Sequence, residues 1–486
     1  MNESQPSLNP LNYVNVGPHG SFGSSGALGT TPDDIRILFS HLRTADADRM
    51  IVHFHGGLVP EERGADSAER ILHDYYGTTN AHPVFFIWET GALETLWRNL
   101  ADIHGTKLFQ QILRLLVKKL AKYAGVRVGA RGAGLEPADA DIEAELHKKR
   151  PFEDMDATPA QGAKGGALPP QRQLEQQLEA EMEEALSAEP ELRDMLQRRD
   201  RGAERLPEDL AERPVPGAKG PISTLTLAAA LARIVVRCLK RRHLGRDHGF
   251  YPTLIEEAVR ELYLDDFGVW MWGNMKDVAR QMWLPNGPDL DPDSHPGRLF
   301  LEELAALQRE RPGFTVDLVG HSAGSIAICH LLEANAADAI GVAIRNLIFL
   351  APAVRSDLFH ETLLAAPDRC ERLRVLTMDD SHECRDTLVD YVYTRSLLYL
   401  ISGVLEANEP DCPILGMERF LTAAAPFDDA RLVAIAQWLK APGADRLVLS
   451  VTKPEAAPGM RSEAVEHGGF TEDDETMRSV CRLITA

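Results

Sequence analysis

The stretch Val316-Asp317-Leu318-Val319-Gly320-His321-Ser322-Ala323-Gly324-Ser325 leaves a chain few ways to fold. An apolar run ends in Gly-His-Ser-Ala-Gly, and a second apolar run follows from Ile326 to Leu332. That order predicts a buried strand, a turn too tight for side chains on its flanks, and then a helix. A serine at the apex of such a turn stands clear of the sheet, and the next backbone N–H, from Ala323, points at whatever the hydroxyl attacks. Gly320 and Gly324 are required because a Cβ at either place would strike neighbouring backbone.

Other apolar runs set the frame around this turn. Residues 50–54, 83–88, 346–352, 373–378 and 446–451 read as strands. Several are continuous rather than alternating, the pattern of parallel strands covered on both faces. Segments between them have helical spacing, at 66–76, 297–309 and from Thr471 to Ile484, where Thr471 and Asp474 open a capping-box-like start. The expected class is therefore α/β, a mostly parallel sheet with flanking helices.

The interval before the Ser322 strand is too long for one crossover, so residues 101–294 are expected to be an insertion. Residues 93–123 have apolar residues at helical spacing and a basic side of Lys107, Arg114, Lys118, Lys119 and Lys122. Such a helix either packs on the domain or makes peripheral contact with an anionic membrane; packing is the simpler expectation. From about 131 to 220, Gly, Pro, Ala, Glu and Gln dominate and aromatics are few. Ordering that stretch would bury too little to offset its entropy, so it is expected to be disordered, apart from one charged helix within 171–199. Order returns with helices at 224–242, 252–263 and up to Trp283. Trp270, Trp272 and Trp283 are expected to pack in a core rather than line a substrate entrance. Residues 1–29, rich in Ser, Gly, Asn and Pro, read as a flexible segment, leaving 30–100 and 295–486 as the core domain.

Composition excludes some functions. The formal charge is −21 across 486 residues, which argues against nucleic-acid binding. Six cysteines occur without a CxxC pair, so neither a zinc site nor a redox motif is expected, and reduced thiols suit a cytoplasmic protein. No apolar run reaches the roughly 18 residues of a spanning helix, and the N-terminus lacks a signal-peptide pattern.

A serine hydroxyl needs a base to take its proton and a third group to orient that base. The strand ends supply candidates in the order Ser322, then Asp380 or Asp379, then His467. In a parallel sheet the loops after the strands gather at one edge, so these distant residues can meet. The acid is ambiguous because Asp379, Asp380, Glu383 and Asp386 crowd one loop; Asp380, one step further beyond the strand, is preferred, with Asp379 next. His467, in the loop after the last strand, is preferred over His321, His330 and His382 as base. His55-Gly56-Gly57-Leu58 follows a strand directly, and Gly57 or Leu58 is expected to supply a second oxyanion donor beside Ala323. His53 and His55 share a strand face, but with no third ligand in view they are expected to brace the loop rather than bind metal.

These features resemble the α/β-hydrolase superfamily of serine hydrolases. The resemblance covers residues 50–100 and 295–486 and rests on His55-Gly56-Gly57-Leu58, Gly320-His321-Ser322-Ala323-Gly324, Met378-Asp379-Asp380 and His467-Gly468-Gly469. It implies an esterase- or lipase-like enzyme with Ser322 as nucleophile, His467 as base and an aspartate as orienter. No metal or organic cofactor is then needed, and the partner is a small-molecule or lipid-like ester. The insertion departs from the pattern, since many relatives carry a lid later in the chain. A peptidase, thioesterase or phospholipase would use the same parts. An interaction protein on a retired hydrolase fold is the alternative from another class.

Overall fold

The computed structural model describes residues 8–23, 28–57, 60–88, 101–102, 104–129, 135–156, 169–188, 224–262, 267–285, 294–406 and 410–486. Seven strands form one sheet: β1 (Tyr13–Val16), β2 (Arg49–Phe54), β3 (His82–Trp88), β4 (Thr315–His321), β5 (Asn346–Leu350), β6 (Arg372–Met378) and β7 (Leu447–Ser450). Their order is β1-β3-β2-β4-β5-β6-β7, and every neighbouring pair is parallel. The chain is α/β, as its continuous apolar runs require.

Alternation along the strands divides the core. Met50, Val52, Phe54, Val84, Phe86, Val316, Leu318, Leu347 and Phe349 face one layer, packed with the Pro32–Thr44, Pro296–Glu310 and Gly324–Ala337 helices and the insertion. Ile51, Phe85, Ile87, Val319, Ile348, Leu350 and Leu376 face the other, under the Glu61–Asp74 and Asp474–Thr485 helices. Both faces are dry, which is why these strands show no polar alternation. After β2 the chain adds β3 on one side; β4 to β7 then build outward on the other. The order therefore reverses between β2 and β4, and in open parallel sheets the crevice beyond the strand C-termini at such a point is where ligands bind.

β1 lies inside the segment expected to be flexible. Its four residues are all buried, paired to β3. Asn15 is tied down as well, donating to Glu61 Oε2 at 3.1 Å and to the Leu28 carbonyl at 2.6 Å. Four residues among Gly, Ser and Pro carry too weak a pattern to announce a strand.

Part of the stretch expected to be disordered, 135–156, is ordered, the charged helix expected within 171–199 forms, and 130–134, 157–168 and 189–223 lie outside the described residues. Within 131–220, helices form at Asp139–Leu146 and Gln171–Ala188. Leu174, Leu178, Met182 and Leu186 make a buried stripe at four-residue intervals, and that helix packs along Thr224–His243. The stripe is narrow, so bulk composition hides it. Among the described residues the insertion also has α-helices at Lys107–Ala124, Phe250–Leu262 and Phe267–Gln281.

The basic helix is occupied on both faces. Phe109, Ile112, Leu113, Leu116, Val117 and Leu120 of Lys107–Ala124 are buried within the protein. Its cations meet the acidic segment: Arg114 pairs with Glu143 (3.0 Å), Lys118 with Asp139 (2.6 Å), Lys119 with Glu136 (2.6 Å), and Lys119 and Lys122 both with Glu181 (3.1 Å each). Four of the five cations on this helix's basic side are thus spent on the insertion's own carboxylates, and residues 93–100 lie outside the described residues. Among the described residues no helix is long and apolar enough to cross a membrane. Trp272 and Trp283 are buried, Trp283 against Phe54 and Phe86; the Trp270 side chain lies outside the described residues.

Because Leu178 is fully buried, Leu178→Ala is expected to destabilise the fold by about 2–5 kcal/mol. A lower urea midpoint checks this. A midpoint equal to the wild type's would mean the helix contributes no packed side chain.

Candidate active site

The turn after β4 is strained and held from several sides. Ser322 has φ of 49°, in the left-handed region that costs a non-glycine residue on the order of 1–3 kcal/mol. Its N–H donates to the Leu350 carbonyl (2.9 Å). Its carbonyl accepts from the Ala353 N–H (3.1 Å), the Ser325 N–H (3.1 Å) and the Ser325 hydroxyl (2.6 Å). The flanking glycines are required by contact. A Cβ on Gly324 would collide with the Phe54 carbonyl, and one on Gly320 would lie 2.9 Å from the Gly324 carbonyl carbon.

The loop after β2 lies against this turn. A Cβ on Gly56 would stand 3.6 Å from Ser322 Cβ, and one on Gly57 would come within 2.6 Å of Ala323 Cβ and strike Met275 Sδ. Gly57 and Ala323 are thus placed side by side next to the serine. Leu58, the other expected donor, lies outside the described residues. Ala323 precedes the Gly324–Ala337 helix, whose first N–H groups lack intrahelical acceptors.

His467 reaches the serine from the loop after β7. Its Nε2 is 2.9 Å from Ser322 Oγ, across 145 residues of sequence. Both residues are buried, Ser322 at 2% exposure and His467 at 5%. Burial, with the nearby His321 ring adding to it, pushes the His467 imidazole down to about 3, so the ring stands neutral. A neutral ring that accepts the serine hydrogen at Nε2 carries its own on Nδ1. That Nδ1 is buried and has no partner among the described residues.

The backbone of His467 is gripped at both ends. Its N–H donates to Asp386 Oδ2 (2.8 Å), and its carbonyl accepts from His321 Nε2 (3.1 Å). Asp386 is therefore the carboxylate of the acid loop that touches His467. Burial raises its carboxyl from the usual 3.8 to about 6, the His467 N–H offsetting part of the rise.

The two aspartates favoured from sequence are engaged elsewhere. Asp379 caps the helical turn Asp380–Glu383: its Oδ1 accepts from the His382 N–H (2.9 Å), His382 Nδ1 (2.9 Å) and the Ser381 hydroxyl (2.7 Å). Asp380 accepts from the Tyr399 hydroxyl (2.6 Å). Neither contacts His467. Glu383 is fully buried and bonded to the Ser396 hydroxyl. The signal that separates them is local: an aspartate placed just before a helical turn is an N-cap, spent on backbone N–H groups.

His53, His55 and His330 have structural partners. His53 Nδ1 meets the Tyr76 hydroxyl (2.8 Å). His55 accepts from the Trp88 N–H at Nε2 (3.2 Å), donates from Nδ1 to the Gly56 carbonyl (2.6 Å) and stacks on Trp88 at 4.4 Å. It braces the glycine loop. Burial lowers His53 to about 3 and His55 to about 4. His330 pairs with Glu333 on the surface of its helix. Among the described residues no cluster of three or more His, Cys, Asp or Glu side chains is arranged to hold a metal ion. Two shallow concavities, one around Arg372 and Arg446 and one around Tyr75 and Arg478, lie away from Ser322.

Chemically, a hydroxyl bonded to a neutral imidazole, at a helix N-terminus, with two backbone segments converging beside it, can be deprotonated as it attacks an electrophile. No protein-family model, curated protein or solved structure matches the chain.

The raised Asp386 carboxyl has a stability consequence. The folded state holds that proton more tightly than the unfolded chain does. The contribution is thus fully present below pH 3.8 and lost as pH rises through about 6. Asp386→Asn removes the charge and keeps an acceptor for the His467 N–H. The variant is expected to unfold at higher urea than the wild type at pH 8, by on the order of 1 kcal/mol after solvent screening, and to match it at pH 4. A variant less stable than wild type at pH 8 would contradict this.

Proposed function

We propose that the chain is a serine hydrolase of the α/β-hydrolase type that cleaves a carboxylic ester. The observation that carries this is the 2.9 Å contact between His467 Nε2 and Ser322 Oγ at the apex of the strained turn. It is supported by the location of that turn at the β2/β4 reversal, the point at which open parallel sheets bind ligands.

In the proposed reaction Ser322 Oγ attacks the ester carbonyl carbon while His467 Nε2 takes the hydroxyl proton. The carbonyl oxygen becomes an oxyanion, held by the backbone N–H of Ala323 and that of Gly57. Collapse of the tetrahedral adduct expels the alcohol, which leaves with the proton from His467. Water then attacks the acyl-serine with His467 again as base, releasing the acid and restoring the serine.

Asp386 is the third member in this reading. His467 gains positive charge in the transition state, and its Nδ1–H is the one buried donor of the ring left unpaired. Asp386 is bonded to the same residue's backbone N–H, and in this reading its carboxylate turns to meet the Nδ1–H as charge develops. Backbone anchoring by Asp386 on one side and His321 on the other fixes the ring's approach to the serine. Proper orientation of a reacting pair is worth several orders of magnitude in rate.

A fluorophosphonate probe is expected to label the wild-type protein, and Ser322→Ala or His467→Ala to abolish labelling. Asp386→Asn is expected to slow the reaction about 10³–10⁴-fold, because the wrong tautomer of the base is favoured, while Asp379→Asn and Asp380→Asn lose only a few-fold. Mass spectrometry of the adduct and a p-nitrophenyl ester assay provide the readouts. Labelling that persists in both the Ser322 and His467 variants would overturn the assignment.

A further inference from the structure

Residues 149–156 of the insertion run along the loop that carries Asp386. The helical turn Asp380–Glu383 ends there, and the last carbonyls of a helical turn lack acceptable donors within it. The Arg150 guanidinium supplies them. Its Nη2 donates to the Cys384 carbonyl (2.6 Å) and the Thr394 carbonyl (3.4 Å). Its Nη1 donates to the Arg385 carbonyl (2.9 Å) and to Thr387 Oγ1 (3.0 Å). One side chain thus ties both limbs of the 384–394 loop, on either side of Asp386, from more than 230 residues away in sequence.

The support under Arg150 is rigid. Its Nε donates to Glu153 (2.9 Å), which fixes the plane of the guanidinium. Two residues on, Phe152 is fully buried against the Phe250 and Tyr251 rings, each at 5.6 Å. Further contacts repeat the seam: the Tyr391 N–H donates to the Lys149 carbonyl (3.2 Å), and Arg395 pairs with Asp156 (2.5 Å). Within the loop, the Asp386 N–H donates to the His382 carbonyl (2.8 Å), so the aspartate's position follows from where the turn ends.

We propose that Arg150 is a positioning residue for the active site: by gripping the carbonyls on both sides of Asp386, it holds that carboxylate against His467. This rests on the serine-hydrolase reading above. The insertion is then a buttress of the acid loop, and its segment 149–156 is required for turnover although it touches neither Ser322 nor His467. A planar fork with several donors is what this geometry uses; lysine, with one compact ammonium, can meet only part of it.

The experiment compares the full-length protein with Arg150→Ala, Arg150→Lys, Asp386→Asn and Arg150→Ala/Asp386→Asn, following p-nitrophenyl butyrate hydrolysis and the fluorophosphonate labelling rate. Arg150→Ala is expected to lower kcat about 10- to 100-fold, the scale of a small misplacement of a reacting group, with KM little changed. Arg150→Lys should fall between, and added methylguanidinium should restore part of the alanine variant's rate while leaving the wild type unaffected. In the Asp386→Asn background the arginine substitution should have almost no further effect, since it acts through that carboxylate. Arg114→Ala, which breaks the ion pair with Glu143 elsewhere in the insertion, serves as the control for general loosening and should keep the wild-type rate. A full additional loss in the Asp386→Asn background, an unchanged rate in Arg150→Ala, or an equal loss in Arg114→Ala would overturn the proposal. Absence of Ser322-dependent labelling in the wild type would instead remove the hydrolase reading beneath it.

Discussion

Everything at the rim of this sheet depends on how closely the end of β2 and the turn after β4 approach. Phe54 lies opposite Gly320 in the ladder, and its carbonyl oxygen occupies the space a side chain on residue 324 would need. With no Cβ at 320 or 324, the strand, the turn and the following helix stack without a gap, and Ser322 is forced into a left-handed φ. That conformation is unfavourable by itself. It persists because the N–H and C=O of Ser322 are both spent on β5 and the 351–354 segment, and the Ser325 hydroxyl closes the turn from within. The same approach carries Gly56 and Gly57 to the serine, with His55 stacked on Trp88 to hold their loop. A single larger residue at 320 or 324 would therefore disturb the register and both converging segments together.

Charge in this protein is managed by pairing rather than by exposure. The acidic insertion segments meet the cations of the Lys107–Ala124 helix, so a large formal negative charge coexists with many short ion pairs. Deeper inside, His248 lies between Glu256 (2.8 Å) and Asp411 (3.1 Å), Arg241 pairs with Glu256 (2.7 Å) and Glu257 (3.0 Å), and Tyr393 donates to Glu256 (2.6 Å). The bonds to Asp411 and from Tyr393 join the insertion to the segment between β6 and β7. Buried pairs of this kind contribute little net stability, because desolvation offsets most of the attraction. Their effect is selective: any other docking of the insertion would strand several buried charges. That selectivity matters where the insertion meets the acid loop.

The legible parts of this molecule were those whose signal is local. Continuous apolar runs gave away six of the seven strands, because a strand dry on both faces cannot hide its composition. Gly-His-Ser-Ala-Gly between two apolar runs announced the strained turn, and His467 was found by its place after the last strand. What stayed hidden depends on contacts between distant segments. β1 is too short to be periodic and is recognised only by its pairing with β3. The Gln171–Ala188 helix was expected as a charged helix, but its docking was not, because one apolar residue per turn is below what composition registers. Asp386 was one of four acids in a single loop, and chain position favoured the two nearest the strand end. Geometry separates them by what each already binds: backbone for Asp379, Tyr399 for Asp380, His467 for Asp386.

Two unfavourable features of the site belong together. The His467 ring is buried without an acceptor for its Nδ1–H, and an unpaired buried donor costs about 1–3 kcal/mol. Asp386, bonded to the backbone of that same residue, is part-buried, and desolvation lifts its carboxyl to about 6. Each group lacks what the other offers. In the proposed reaction the imidazole becomes positive as the serine attacks, and a carboxylate beside it then counts for far more than it would in water. On that reading, a turn of the Asp386 carboxylate toward Nδ1 would relieve both penalties as the charge develops. Interactions that strengthen only as charge develops lower the barrier without tightening ground-state binding.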